Sequence, residues 1–356
     1  MKMIVRRTAL AVCTLVLAVT LSTAASAACT GFDDVPEAAD CYESVMYLAE
    51  CEIAAGTGND CFSPEQLITV EQWAVMLCRA YGAETIGDSW QDVGRSSVVE
   101  AYRQGWLNET ALSAPRSPMC RSVLVESAFA AADVPVYDST LYEGGASLST
   151  ADNILRVGRE LGLCSDDADT NALVTRGDAA IILHVVLTQS FRVEEPPVPV
   201  TLVNAAGVNV NDFLLELRKL PEQVLDAFNA AGWTYCIDFD YISGLSKKLN
   251  MSCIGATNYS QKTIYISEAS ATLHEFGHFL DWTLGFPAEH EQLFRAEAAA
   301  APLRNYAKTN AREYFADCFA YWVKYAENAN AISLLQECAP MTFRYMEEVT
   351  ILQWPD

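Results

Sequence analysis

The sequence predicts two folded parts of different class: an all-α N-terminal bundle built from three repeats, and a C-terminal α+β domain. Three observations predict this. A proline-rich stretch, SFRVEEPPVPVTL (residues 190–202), interrupts the chain near residue 195 and reads as a stiff, extended linker. Before it one helix–loop–helix pattern recurs; after it a short alternating strand leads into a helix bearing two histidines. At 356 residues the chain also exceeds one ordinary core, so two domains are expected.

The first element is MKMIVRRTALAVCTLVLAVTLSTAASAAC. Lys2, Arg6 and Arg7 precede an apolar run from Ala9 to Leu21, and an A-x-A pattern follows at Ala25 to Ala27. This predicts a secretory signal peptide over 1–27. No later stretch offers 18 uninterrupted apolar residues, so no membrane span is expected after its removal.

Of twelve cysteines, Cys13 lies in the signal, leaving eleven in an oxidising compartment. Cys236, Cys253, Cys318 and Cys338 can close two bridges within the C-terminal part. The seven before it are odd in number. A lipidated Cys29 would resolve the count, but the usual Leu three positions earlier is absent, and a free or intermolecular thiol is the plainer reading.

The formal charge of −23 is unevenly spread: residues 28–200 hold 27 acids against nine arginines and no lysine, whereas 201–356 hold 19 acids against 11 bases. So acidic a surface repels phosphate backbones and anionic lipid, which argues against nucleic acid as a partner. Its plainest use is solubility.

The repeats are read from matched positions. FDDV (32–35) is echoed by WQDV (90–93), and Ile68, Met119 and Val174 open equivalent segments 51 and 55 residues apart, a period typical of repeat arrays. In each unit Thr or Ser starts a helix whose apolar residues return at helical spacing, as at Trp73, Met76 and Leu77. Units that cannot bury their faces alone should pack together. These residues resemble S-layer homology repeats over about 32–190. The resemblance implies attachment to cell-wall polysaccharide of a Gram-positive-type surface through a Thr-Arg-Ala-Glu-like turn. Only TRGD (175–178) approaches that turn; the other units read TVEQ and CRSV. A spacer is the alternative use. In the third unit Asp167, Asp169, Asn171 and Asp178 have calcium-loop spacing, but Ala172 stands where Gly is needed, and a solvated loop is expected.

In the C-terminal part, DFLLELRKLPEQVLDAFNAAGW predicts an amphipathic helix broken near Pro221, and TIYIS (263–267) a strand. Then comes ATLHEFGHFLDW (271–282). Residues four apart share a helix face, so His274 and His278 can aim ring nitrogens at one ion, and Glu275 beside the first is placed to reach a metal-bound water. Chance also produces this HExxH spacing, so a third ligand must decide. The position six beyond His278 is Leu284, not His; His290 lies twelve beyond. The better candidate is Glu313 in NAREYFADCFAYW (310–322), where a carboxylate on an otherwise apolar helix is costly unless paired or metal-bound. Asp317, one turn on, can orient a ligand imidazole, and Asp281 is a second candidate for that task. Surface charge or helix capping is the plain alternative for both.

HEFGHFLD followed by YAKTNAREYFADCFA resembles the catalytic domain of anthrax lethal factor and its relatives, among them secreted Pro-Pro endopeptidases, over about 205–356. The resemblance implies an α+β zincin-type peptidase binding one Zn2+ through His274, His278 and Glu313, with Glu275 as general base and Tyr306 stabilising the oxyanion. Tyr306 read by itself is equally a packing tyrosine. Two imidazoles and a carboxylate leave a zinc position open for water, whose pKa then falls to about 7. The expected organisation is thus signal peptide 1–27, repeats 28–190, linker 191–201 and metallopeptidase domain 202–356, acting on peptide or protein substrates. The rival reading is an inactive wall-binding protein, against which all five chemical positions are filled.

Overall fold

A computed structural model describes residues 2–4 and 31–351. The signal peptide expected at 1–27 and the acylation considered at Cys29 lie, apart from 2–4, outside the described residues. The chain divides between Glu195 and Pro196 into two compact units. Helix dominates both, and among the described residues no helix is long and apolar enough to cross a membrane.

The first unit contains α1 (Tyr42–Glu50), α2 (Val70–Tyr81), α3 (Trp90–Arg103), α4 (Glu109–Ser113), α5 (Arg121–Ala131), α6 (Thr150–Glu160) and α7 (Arg176–Thr188). A short strand β1 (Lys2–Ile4) pairs antiparallel with β2 (Arg192–Glu194), inside the stretch expected to be linker. The buried residues Ile68, Met119 and Val174 meet in a closed ring of backbone hydrogen bonds: Ile68 N–H donates to Val174, Met119 to Ile68 and Val174 to Met119, each at 3.0 Å. Each lies just before a helix. Thr69 caps α2 in a reciprocal capping box with Gln72, and Thr175 caps α7 through the Asp178 N–H. Cys120 at the equivalent place before α5 makes no side-chain cap. The three helix starts are therefore held together by main chain but are unequal in side-chain chemistry. Buried Trp73 of α2 ties to α5 by donating to Ser127 Oγ at 2.7 Å.

The second unit comprises β3 (Leu202–Asn204), α8 (Asn211–Leu217), α9 (Glu222–Ala230), β4 (Thr234–Ile237), α10 (Phe239–Leu249), β5 (Gly255–Asn258), β6 (Thr263–Ile266), α11 (Thr272–Thr283), α12 (Ala288–Glu297), α13 (Ala311–Lys324), α14 (Ala329–Cys338) and α15 (Pro340–Ile351). Pro221 sits at the N-cap of α9, the break its ring predicts. The sheet order is β3-β4-β6-β5, with β3, β4 and β6 parallel and β5 antiparallel on one edge. Along β6 the alternation is direct, Ile264 and Ile266 being fully buried. Phe276 and Phe279 of α11 pack on Phe228 with ring centroids 4.8 and 5.1 Å apart, and Phe279 meets Trp233 at 5.3 Å. Each such ring contributes about 1.5–3 kcal/mol on burial, which fixes one face of α11 and leaves its histidine face for the site.

The two bridges expected among Cys236, Cys253, Cys318 and Cys338 are not formed; all four carry thiols. They sit on separate elements: β4, the loop before β5, the middle of α13 and the end of α14. Cys318 is turned into the interior beside Tyr314, and burial pushes its thiol pKa far up. Parity had counted partners without their geometry.

Candidate active site

Two helices build the site, and one glycine lets them meet. A Cβ at Gly277 would stand 2.6 Å from the Ala316 Cα, so α11 and α13 cross with their backbones in contact. His274 and His278 flank Gly277 on α11, while Glu313 and Asp317 flank Ala316 on α13. The crossing thereby brings the four side chains together. Asn310 caps α13, its Oδ1 accepting from the Arg312 and Glu313 N–H groups at 3.0 and 3.1 Å, which sets Glu313 in the first turn.

Glu313 Oε2 lies 3.0 Å from His274 Nε2 and 3.4 Å from His278 Nε2. One donor atom from each of the three residues falls within 4.8 Å of the others. His274 Nδ1 meets Asp317 Oδ1 at 2.6 Å, a partner that leaves Nε2 as the nitrogen facing Glu313. His278 Nδ1 is buried and has no hydrogen-bond partner among the described residues. Burial would raise the Glu313 pKa, but the hydrogen bonds and charges of both imidazoles hold it well below the usual carboxylate range. The donor set, two imidazoles and one ionised carboxylate converging on one point, is one that a divalent transition metal completes.

Glu275 is buried on α11, against the edge strand β5. Its Oε2 accepts from Thr257 Oγ1 at 2.7 Å. A Cβ at Gly255 would stand only 2.7 Å from its Oε1, so the carboxylate rests directly on the backbone of β5. Tyr306 lies on a 3-10 turn (Asn305–Lys308), 41 % exposed, with its ring centroid 6.2 Å from that of His274. Desolvation, the Glu313 charge and a hydrogen bond to Glu313 push its phenol up to about 12, keeping it a protonated donor at neutral pH.

Asp281 takes a different place from the one expected beside His278. Its Oδ1 meets His290 Nδ1 at 2.8 Å, and His290 Nε2 meets the Tyr345 hydroxyl at 2.9 Å. His290 also stacks on Phe315 at 3.9 Å. Both its ring nitrogens are occupied, and His290 stands apart from the three-residue group. Sequence reasoning missed Thr257, Gly255 and Arg304. Arg304, two residues before Tyr306, donates to both oxygens of Asp317 at 2.6 Å; its only sequence signal was that proximity to Tyr306.

Residues 239–349 match the family model "Anthrax toxin lethal factor, N- and C-terminal domain", and residues 31–72 match "S-layer homology domain". No curated protein matches the chain. Among solved structures the chain is similar to the PRO-PRO endopeptidase (PPEP-2) from Paenibacillus alvei, at 17% identity with a TM-score of 0.33, covering 42% of this chain and 96% of that one.

Proposed function

We propose that residues 202–356 form a zinc-dependent endopeptidase and that residues 28–190 form three S-layer-homology-like repeats holding the exported chain at a cell surface. One observation carries the enzymatic reading: His274, His278 and Glu313 converge within 4.8 Å while Glu275, on the same helix as the histidines, stays outside the donor set and is held by Thr257 of the adjoining strand. His274, His278 and Glu313 would hold the zinc, which when bound supplies a Lewis acid that activates water and polarises a peptide carbonyl.

This chain's own residues do the rest. Asp317 accepts a hydrogen bond from His274 Nδ1–H and keeps the Nε2 lone pair available for the metal. Glu275, fixed by Thr257, takes the proton of the attacking water and returns it to the departing amine. Tyr306 donates from its phenol to the developing oxyanion, a contact worth about 3–4 kcal/mol when made mainly in the transition state.

For the repeats, the supporting feature is a groove of about 470 Å3 lined by Gly56, Gly58, Gln66, Arg79, Trp90 and Arg176. Exposed Arg79 and the half-exposed Trp90 ring in an acidic chain suit an anionic wall polysaccharide, while Arg176 is buried behind them with its guanidinium on the Phe62 and Ala55 carbonyls. The rival reading, a surface protein with an inactive second unit, predicts folded, zinc-replete protein without activity. The test is zinc stoichiometry together with hydrolysis of an unstructured peptide pool, with and without chelator. Zinc-replete, folded protein that cleaves nothing would reject the peptidase. Binding to purified wall polysaccharide, lost in Arg79→Ala, tests the anchor separately.

A further inference from the structure

Arg304 is not among the groups the proposed mechanism uses, yet it touches three of their parts. Its Nε donates to Asp317 Oδ2 and its Nη2 to Asp317 Oδ1, both at 2.6 Å, the two-pronged geometry that only a guanidinium presents to a carboxylate. The same Nη2 lies 2.9 Å from His274 Nδ1. Its Cζ stands 5.4 Å from the centre of the Tyr306 ring. Arg304 is also the N-cap residue of the 3-10 turn that carries Tyr306.

These contacts have a mechanical consequence. Asp317 is buried on α13, the element that also bears Glu313, and so offers a rigid anchor. The turn at 305–308 is a short segment between α12 and α13 whose phenol stands half-exposed. A fork from Arg304 to Asp317 fastens that turn to the helix at one end, two residues from the phenol. With both Asp317 oxygens accepting from the guanidinium, the carboxylate remains an acceptor for His274 Nδ1–H. Were Nδ1 to accept from Arg304 instead, the imidazole proton would sit on Nε2 and block the metal-facing nitrogen.

Resting on the proposed zinc-peptidase reading, we propose that Arg304 is a positioning residue that locks the Tyr306 turn and the Asp317–His274 pair into one unit. The metal-facing nitrogen and the oxyanion donor are then set by the same guanidinium. A loss of Arg304 should therefore be felt in two places at once, metal affinity and transition-state stabilisation. A purely local anchor of the loop would affect neither in this coupled way.

The experiment uses the full chain as wild type, Arg304→Met, Arg304→Lys, Tyr306→Phe and the double variant Arg304→Met/Tyr306→Phe. Zinc affinity is measured by chelator competition, and kcat and KM on one fluorescence-quenched peptide selected from the cleaved pool. Arg304→Met should weaken zinc binding and lower kcat by about 10–100-fold each, with KM little changed. Arg304→Lys should recover neither, because an ammonium cannot span both carboxylate oxygens. Tyr306→Phe should cost far less in the Arg304→Met background than in wild type, the mark of residues acting as one unit.

Additive losses, full rescue by lysine, or unchanged zinc affinity in Arg304→Met overturns the proposal. Circular dichroism keeps unfolding distinct, since Arg304→Lys retains charge and bulk and gives a second variant. A wild type that binds zinc but cleaves nothing rejects the peptidase and leaves the zinc affinities to decide Arg304. A wild type that binds no zinc overturns both.

Discussion

Two histidine–carboxylate pairs flank α11, and they have opposite fates. His274 gives Nδ1 to Asp317 and turns Nε2 towards Glu313, beside a second imidazole. His290 gives Nδ1 to Asp281 and has Nε2 closed by the Tyr345 hydroxyl, while its ring lies flat on Phe315. Both histidines are buried, and both carboxylates are nearly inaccessible. The difference that decides metal binding lies in what faces the second nitrogen. An imidazole whose remaining nitrogen meets other ligand atoms is available for a metal; one whose remaining nitrogen meets a hydroxyl is part of the core.

The largest effects should come from the first pair's surroundings. Glu275→Ala is expected to cut turnover by at least about 10²-fold while zinc remains bound, because it removes a base and no ligand. Glu313→Ala should instead lose zinc, read by metal content after dialysis. Full zinc occupancy in that variant would return His290 to consideration and erase the contrast between the pairs. Next in size, Tyr306→Phe should lower kcat by about 10²-fold with little change in KM. An unchanged kcat would reassign the tyrosine to packing.

Gly277→Ala tests why the first pair converges at all. The added methyl would meet the Ala316 backbone at 2.6–2.7 Å, so α11 and α13 must separate, at a cost of about 1–3 kcal/mol. Zinc affinity should fall with stability, although no ligand is altered. His290→Gln is the complementary change: it should lower the unfolding free energy by about 1–3 kcal/mol through a disturbed buried network and leave zinc affinity where it was. A matching fall in zinc affinity would show that the two pairs are not independent.

Much of the site could be read from the chain because it rests on helical spacing. His274 and His278 share a face by period alone, and Glu313 stood out as a carboxylate among aromatic neighbours. Asp281 could not be assigned that way. Its partner His290 lies nine residues on, past Gly285 and Phe286, both with positive φ, and only that turn geometry brings the two together. Arg304 and Thr257 were hidden for the same reason: each reaches the site from a loop or strand whose direction no local period encodes. Gly277 lies inside the motif, but its need for close helix approach becomes visible only with Ala316 opposite it. The segments around Ile68, Met119 and Val174 were legible as equivalents, whereas their ring of backbone hydrogen bonds, and the missing side-chain cap at Cys120, were not.

The smallest effect isolates electrostatics, and is read from the stability of chelator-treated protein against pH. Burial by itself would lower the His274 pKa, but hydrogen bonds to Asp317 and Glu313 and the charge of Glu275 outweigh it and push it up to about 9. A folded value above the unfolded one, about 6.5, stabilises fully below pH 6.5, and the gain is lost as pH rises through about 9. The carboxylates run the other way. Burial would raise both, yet the imidazoles hold Glu313 down, and His274 and Arg304 hold Asp317 down. Their contribution is present above about pH 4 and is lost on acidification. Because the same contacts enter from both partners, the total swing is on the order of 2–3 kcal/mol, one pKa unit being about 1.4 kcal/mol. Metal-free protein should therefore be most stable between about pH 4.5 and 6.5 and weaken towards pH 9. Zinc-loaded protein should strengthen from about pH 6.5 to 8, since the ion needs the unprotonated imidazole. The two melting curves should thus diverge with rising pH, in wild type and in His290→Gln alike. Parallel slopes would mean that zinc does not displace the His274 proton, and would remove His274 from the ligand set.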